Sequence, residues 1–290
     1  MSGAPRIIDA HAHADWLGHD LTHTLANMDQ YGIDRAWLLS WECPEDEYPP
    51  TPSLFYREPG GPIPFARAVS YCERAPGRFV LGYCPDPRRP DAVTRLQAAR
   101  DIYGVQVCGE LKLRMVLDNP DALRLFRYCG SVGMPVTVHI DYEHPTGHSS
   151  PRPNWWYGGG VEALERALIA CPETTFLGHA PGFWAHISGS GVEVDNPYPT
   201  GPVTPDGLVP RLLRTYPNLW CDLSAGSAHN ALSRDMAFGR EFVLEFQDRL
   251  LYARDQFDNI HQELLNAFDL PSGALAKIMA GNALRLAPVA

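Results

Sequence analysis

Two histidines one residue apart, His11 and His13, close the segment Arg6-Ile7-Ile8-Asp9-Ala10-His11-Ala12-His13. Ile7 and Ile8 favour a short strand, and in a strand residues i and i+2 point to one side. The two imidazoles then project together, with Ala10, Ala12 and Ala14 leaving room around them. Imidazole is a borderline ligand suited to zinc, iron and related divalent ions, so the pair reads as half of a metal site. A bare His-x-His is more often a solvent-facing loop pair. The choice depends on whether other ligand types stand at comparable places farther along the chain.

They do, once the elements that carry them are laid out. Apolar runs fit for strands lie at 36–39, 79–83, 104–113, 135–140, 174–179, 219–223 and 250–253. Between them fall helical patterns at 21–31, 64–75, 91–102, 119–129, 161–170, 206–216, 240–247 and 260–268, and a last helix is expected over 273–286 with Ser272 as its cap. Asn119-Pro120 has the cap-and-first-turn signature. Alternating strands and helices imply a parallel sheet, and eight pairs are the count of a (β/α)8 TIM barrel. A doubly wound open sheet is the alternative. The barrel is expected as a single domain over 1–290.

Loop lengths argue the same way. Helix-to-strand connections are short, whereas strand-to-helix segments are long at 41–63, 141–160, 180–205 and 223–238. All the length lies at the C-terminal strand ends, where barrel enzymes hold their sites. The ligand-type residues fall there too: His11 and His13 at the first strand, His139 at the fifth, His179 at the sixth, Asp222 in the seventh and Asp255 after the eighth. Each histidine alone is more often a structural hydrogen-bonding group. Their repeated placement on one rim points to a site.

Asp9-Ala10-His11-Ala12-His13, Val138-His139, Leu177-Gly178-His179 and Asp255 together resemble the amidohydrolase superfamily. The closing Ile278-Met279-Ala280-Gly281-Asn282-Ala283-Leu284-Arg285-Leu286 is similar to the C-terminal signature of its amidohydrolase-related branch, and the likeness runs along essentially the whole chain. The resemblance implies a divalent metal, usually zinc, on His11, His13, His139 and Asp255. His179 would be a base or electrophile beside the bound water, and Asp255 would double as a proton carrier. One ion is expected, or two if Glu110 bridges a pair as a strand-four glutamate does in other branches. Glu110 and Lys112 stand two apart on one face and read as readily as an ion pair inside the barrel. Members of the family commonly carry small residues before the eighth-strand aspartate, whereas here Arg254 precedes it. That cation either binds a substrate carboxylate or turns away into a salt bridge.

The long loops are rich in aromatics: Trp16, Trp41, Trp155, Trp156, Tyr157, Phe183 and Trp184. Some are expected to wall a pocket for a ring-containing ligand, with Trp16 and Trp184 as substrate contacts. Among polar loop residues His186, His229, Asn230 and Arg234, the guanidinium of Arg234 best matches a carboxylate. The expected activity is hydrolysis of an ester, lactone or amide of a small carboxylate. Non-oxidative decarboxylation of an aromatic or unsaturated acid is the alternative on the same constellation, and a non-catalytic metal-bound barrel ranks third.

Composition narrows the partners. With 34 acidic against 24 basic residues and a net charge of -10, the chain lacks the cationic face that nucleic acid requires. No apolar run is long enough to span a bilayer. The seven scattered cysteines form no Cys-x-x-Cys pair. Together with an N-terminus that has no charged head and apolar run, they predict a reduced, cytoplasmic protein. A homo-oligomer is compatible with all of this.

Overall fold

The computed structural model describes residues 7–47, 62–143, 156–189 and 196–288. Eight short parallel strands make the barrel: β1 (Ile8–Ala12), β2 (Arg35–Leu38), β3 (Phe79–Leu81), β4 (Cys108–Leu111), β5 (Val136–His139), β6 (Phe176–His179), β7 (Leu219–Asp222) and β8 (Leu250–Leu251). The ladders run β1-β2-β3 and β4-β5-β6-β7-β8. Two seams close the ring. Between β3 and β4, Gln106 N–H donates to Leu81 O and Tyr83 N–H to Val107 O, both at 3.0 Å. Between β8 and β1, Ala10 N–H donates to Tyr252 O at 3.0 Å.

Strand alternation sorts the core into two layers. Ile8, Ala10, Trp37, Leu39, Val80, Val107, Leu177, Trp220, Leu251 and Ala253 pack together inside the barrel. Ala36, Leu38, Leu81, Cys108, Val136, Val138, Phe176 and Cys221 pack outward with the apolar faces of the helices. This is the packing that a closed parallel sheet imposes on every strand. Gly178 in β6 marks a close approach, because a Cβ there would stand 2.3 Å from the Phe183 ring.

The helices follow the sequence pattern closely. Asp20 caps Leu21–Gln30 by accepting from His23 N–H, and Asn119 caps Pro120–Ser131 by accepting from Asp121 N–H. Three expectations need correction. Residues 223–238, read as a loop, contain the helix Ala225–Ser233, whose small buried residues Ser227, Ala228 and Ala231 give little hydrophobic periodicity. The last helix starts at Ser272 with Pro271 before it, so Ser272 is not its cap, and it is broken by a π turn over Lys277–Gly281 before Asn282–Leu286. The fourth strand is also shorter than 104–113, since Gly104 adopts a φ of 73° to end the preceding helix Ala92–Tyr103. Asn282 explains part of the C-terminal signature: its side-chain amide donates to Gln247 O and Leu250 O, each at 2.7 Å, tying the terminus to β8.

Two bulges aim the site. On β1, Asp9 pairs with Ala36 and Ala12 with Leu38, so three steps on one strand match two on the next. On β4, Cys108 pairs with Val136 and Leu111 with Val138, with the same excess. An extra residue re-aims the side chains beside it. In β1 the alternation that starts with Ile8 and Ala10 inside is shifted, and His11 and His13 also turn inward. In β4 the shift turns Glu110 and Lys112 inward.

Candidate metal centre

The rim residues meet at the C-terminal mouth of the barrel. His11 Nε2 and His13 Nε2 lie 3.2 Å apart. Asp255 Oδ1 is 3.4 Å from His13 Nε2, and Glu110 Oε2 is 3.6 Å from His13 Nε2 and 3.9 Å from His11 Nε2. On its other side, Glu110 Oε1 stands 2.5 Å from His139 Nδ1 and 3.5 Å from His179 Nε2. Glu110 therefore sits between two pairs of histidines. The ligand atoms of His11, His13 and Asp255 lie within 4.8 Å of one another, as do those of His11, Glu110 and His179.

The four residues expected to share one ion are thus divided. His139 joins the cluster through Glu110, because β5 stands across the barrel from β1. The expected Glu110–Lys112 ion pair is not formed among the described residues. Lys112 Nζ lies instead over the rings of Trp41 and Tyr157, 5.7 Å from each centroid.

Backbone and side chains hold each donor in place. Asp222 ends β7 and spans two histidines: its Oδ2 accepts from His11 Nδ1 at 2.8 Å and its Oδ1 from His179 Nδ1 at 2.9 Å. Ser224 Oγ reaches Asp222 Oδ1 at 2.7 Å. His13 Nδ1 donates to Leu39 O at 2.9 Å. Asp255 has a left-handed φ of 53°, a conformation an aspartate tolerates better than most residues. Its N–H donates to His11 O at 2.9 Å, and its carbonyl accepts from the Trp16 indole at 2.8 Å. Asp222 had been noted at a strand end without a role. Its place among the rim histidines was the available signal for the orienting function it shows here.

This donor set fits a metal ion on physical grounds. A carbonyl or an ionised carboxylate only accepts, so the Nδ1 atoms of His11 and His13 carry protons; without metal a proton on His11 Nε2 is shared with His13 Nε2 at 3.2 Å, and its loss leaves both Nε2 lone pairs free for an ion. Asp255 Oδ1 is buried with no hydrogen-bond partner. Glu110, Asp222 and Asp255 converge with the ammonium of Lys112 beside them, and the carboxylates outnumber it; the further positive charge is a proton on His11 or, in its place, a metal ion. Uncompensated buried charge is costly, so such a cluster calls for a cation.

The titration behaviour agrees. Burial pushes His13 down to about 4 and His139 down to about 3, keeping both neutral and available as ligands. Burial also opposes a charge on His11, but Asp222, Asp255 and Glu110 outweigh it and lift that imidazole to about 10 when no metal is bound. The carboxylates that would hold a metal hold a proton there in its place. Burial works against the Glu110 charge as well, yet Lys112, His139 and His11 bring its carboxyl well below the ordinary range.

The remaining expected residues separate into wall and scaffold. Trp16 and Trp41 stand 5.1 and 5.5 Å from the His13 ring, and Tyr157 5.4 Å from the His139 ring, so these three line the cluster. Trp184 does not join them: it is 1% exposed and packs on Phe183 and Phe242 in the core. Arg254 turns away from the mouth, its Nε donating to Asp9 Oδ2 at 2.8 Å and its Nη1 to Asn27 Oδ1 at 2.8 Å. Of its two expected roles, the salt bridge is the one its geometry shows. Arg234 follows the helix Ala225–Ser233 with Nε and Nη2 buried and unpartnered, and no described hydrogen bond or ion pair joins it to the cluster. His186 meets the Tyr142 hydroxyl at 2.8 Å, Asn230 donates to Pro199 O at 3.1 Å, and His229 faces the His261 ring. Trp155 lies outside the described residues.

Solved structures with the same architecture carry the same fold at low identity. A 5-carboxyvanillate decarboxylase from Sphingomonas paucimobilis has a TM-score of 0.65 at 13% identity, covering 99% of this chain and 100% of that one. A dihydroxybenzoic acid decarboxylase from Polaromonas sp. JS666, with bound manganese and the inhibitor 2-nitroresorcinol, has 0.62 at 14%, covering 98% and 97%. A probable 2-pyrone-4,6-dicarboxylic acid hydrolase from Acinetobacter baumannii, with citric acid bound, has 0.59 at 12%, covering 97% and 98%. No curated protein sequence matches the chain. Among the described residues, no helix is long and apolar enough to cross a membrane. The family model described as Amidohydrolase matches residues 8–288, nearly the whole chain, and the chain belongs to that family.

Proposed function

We propose that this enzyme is a metal-dependent hydrolase acting on an ester, lactone or amide of a small, ring-containing carboxylate. The observation that carries the metal is the convergence of His11 Nε2, His13 Nε2 and the unpartnered Asp255 Oδ1 within 4.8 Å of one another. His11, His13 and Asp255 would hold one ion, zinc by its suitability for imidazole and carboxylate donors. If Glu110 bridges, a second ion would lie on the side of His139. An ion with an open position lowers the pKa of a bound water to about 7 and polarises a carbonyl.

The chain's own residues supply the rest. His179 commits its Nδ1–H to Asp222, so its Nε2 is left to accept or return a proton at the reacting centre. Asp222 and Ser224 fix that ring, as an outer carboxylate fixes a metal-site histidine. Trp16, Trp41 and Tyr157 would flank a flat ring and restrict water around it. A decarboxylase is the second reading, favoured by the likeness to a 5-carboxyvanillate decarboxylase and a dihydroxybenzoic acid decarboxylase, as the likeness to a probable 2-pyrone-4,6-dicarboxylic acid hydrolase favours the first. A small soluble acid would be the substrate in either case, with the protein working in the cytoplasm.

Two measurements test this. Elemental analysis of protein purified without chelator should find about one metal per chain, or about two if Glu110 bridges, with Glu110→Gln lowering the higher count. Protein that remains metal-free on reconstitution would end the proposal. Aromatic and unsaturated carboxylates, with their lactones, esters and amides, should then be incubated in labelled water. Solvent oxygen in a new carboxylate is the expected result. Carbon dioxide release with deuterium at the vacated carbon would replace the hydrolase with the lyase.

A further inference from the structure

Lys112 is the one cation directed into the mouth of the barrel among the described residues that surround the donor cluster. It follows Glu110 by two positions, shares its inward face, and is only partly buried. Its Nζ lies 5.7 Å from the Trp41 centroid and 5.7 Å from the Tyr157 centroid. No carboxylate of the described chain comes within ion-pair distance, although Glu110 and Asp255 stand nearby and Arg254 is fully engaged with Asp9. The Trp41 ring also touches the His13 ring and the Tyr157 ring the His139 ring, at 5.5 and 5.4 Å between centroids. The ammonium is thus held between two aromatic faces that themselves border the two histidine pairs.

Resting on the metal-dependent reading above, we propose that Lys112 is the anion anchor that selects the substrate. It receives a carboxylate of a planar acid whose ring lies along Trp41 and Tyr157 and whose reacting carbonyl reaches the donor cluster. The physical reason is charge allocation. Once Glu110 and Asp255 are committed to metal, the ammonium keeps the faces of Trp41 and Tyr157 and the carboxylate of Asp141, which lies beyond ion-pair distance, so none of them gives it a direct charged hydrogen bond. An incoming carboxylate supplies that bond. Aromatic walls on both sides admit a flat group at that place more readily than a branched one. The preferred substrate therefore carries a free carboxylate in addition to the carbonyl group that reacts.

The test uses zinc-loaded enzyme and two probes, isophthalate and benzoate, which share one carboxylate for the donor cluster and differ in whether a second is present for Lys112. Binding is read by tryptophan fluorescence, since Trp41 borders Lys112, and needs no turnover. Wild type should prefer isophthalate by roughly 10- to 100-fold, the range for one hydrogen bond to a charged group. Lys112→Met should reduce the preference to within about twofold, and Lys112→Arg should retain most of it. Lys112→Gln gives the same reading if the methionine variant does not fold. Equal affinity for both probes in wild type, or an unchanged preference in the uncharged variants, would overturn the assignment. So would loss of metal from Lys112→Met, which would make the lysine a support for Glu110. A carboxylate preference that depends on Lys112 in an enzyme that releases carbon dioxide would sustain the anchor while removing the hydrolase.

Discussion

Asp9 and His11 are separated by one residue, and Arg254 and Asp255 by none, yet they build two opposite environments. Outside the barrel wall, Asp9 accepts from His11 N–H at 3.2 Å, Arg254 N–H at 2.9 Å and Arg254 Nε at 2.8 Å, while Arg254 also donates to Asn27. Every charge there has its counterpart. Inside the wall, His11 and His13 set their Nε2 atoms 3.2 Å apart, Asp255 Oδ1 has no hydrogen-bond donor, and the carboxylates of Glu110, Asp222 and Asp255 crowd together. The outer pair completes its own hydrogen bonds, whereas the inner cluster leaves ligand atoms open. Burial alone would not separate them, since Asp9 and His11 are both 0% exposed. What separates them is whether the protein completes its own hydrogen bonds.

The largest effect should come from the inner cluster. His179→Asn should retain metal while turnover falls roughly 100- to 10,000-fold, the usual loss for an acid–base group. Loss of metal with activity would instead make His179 a ligand on the Glu110 side. Next is the outer pair: Arg254→Met leaves Asp9 buried and unpaired, and should cost about 3–5 kcal/mol of stability in denaturant titrations. Metal content of the folded fraction should be unchanged. A variant of native stability that has lost its metal would erase the distinction between the two regions.

Asp222 lies between these extremes, since it makes ordinary hydrogen bonds but makes them to two members of the cluster. Asp222→Asn should weaken metal affinity or turnover about 10- to 100-fold, measured by competition with a chelator and by steady-state rates. Wild-type values for both would show that His11 and His179 need no common partner.

The smallest effect is a pH slope. His13 and His139 have folded pKa values near 4 and 3, below the ordinary 6.5. Between those limits the unfolded chain binds more protons than the folded one. Their contribution is therefore complete above pH 6.5 and lost as pH falls, by up to about 1.4 kcal/mol per pH unit for each group. His11 has the opposite sign. Lifted to about 10, it contributes fully below pH 6.5 and loses that contribution as pH rises through 10. Denaturant midpoints of metal-free protein should fall on both sides of neutrality. Added zinc should flatten the alkaline limb, because it replaces the His11 proton. A metal-free protein with no alkaline limb would contradict the charge excess inferred for the cluster.

Local chemistry made much of this molecule legible. The strand–helix alternation pointed to a parallel α/β fold, and the count of eight pairs with the long segments all at the C-terminal strand ends pointed to the barrel. The helices Leu21–Gln30, Pro120–Ser131 and Val161–Ala170 carry apolar stripes in the sequence itself, and the first two also carry capping side chains, Asp20 and Asn119. Ala225–Ser233 did not, since a helix packed through Ser and Ala has little contrast between its faces. The rim positions of His11, His13, His139, His179 and Asp255 were readable because parallel strands must all end on the same side. Trp184 shows the opposite case: a long loop does not tell which of its aromatics returns to the core.

Residue type and spacing determined by themselves that histidines and carboxylates would gather at the C-terminal mouth of a barrel. Only the tertiary structure decided how they divide. Simple alternation puts Asp9 and His11 on one face of β1, but the bulge before Ala12 sends Asp9 out to Arg254 and His11 in toward Asp222. A second bulge in β4 places Glu110 between two histidine pairs and Lys112 between two rings. A bulge is a mismatch in the count of residues between neighbouring strands. Each strand taken alone carries no record of that count. It is set by how the closed ring must be paired.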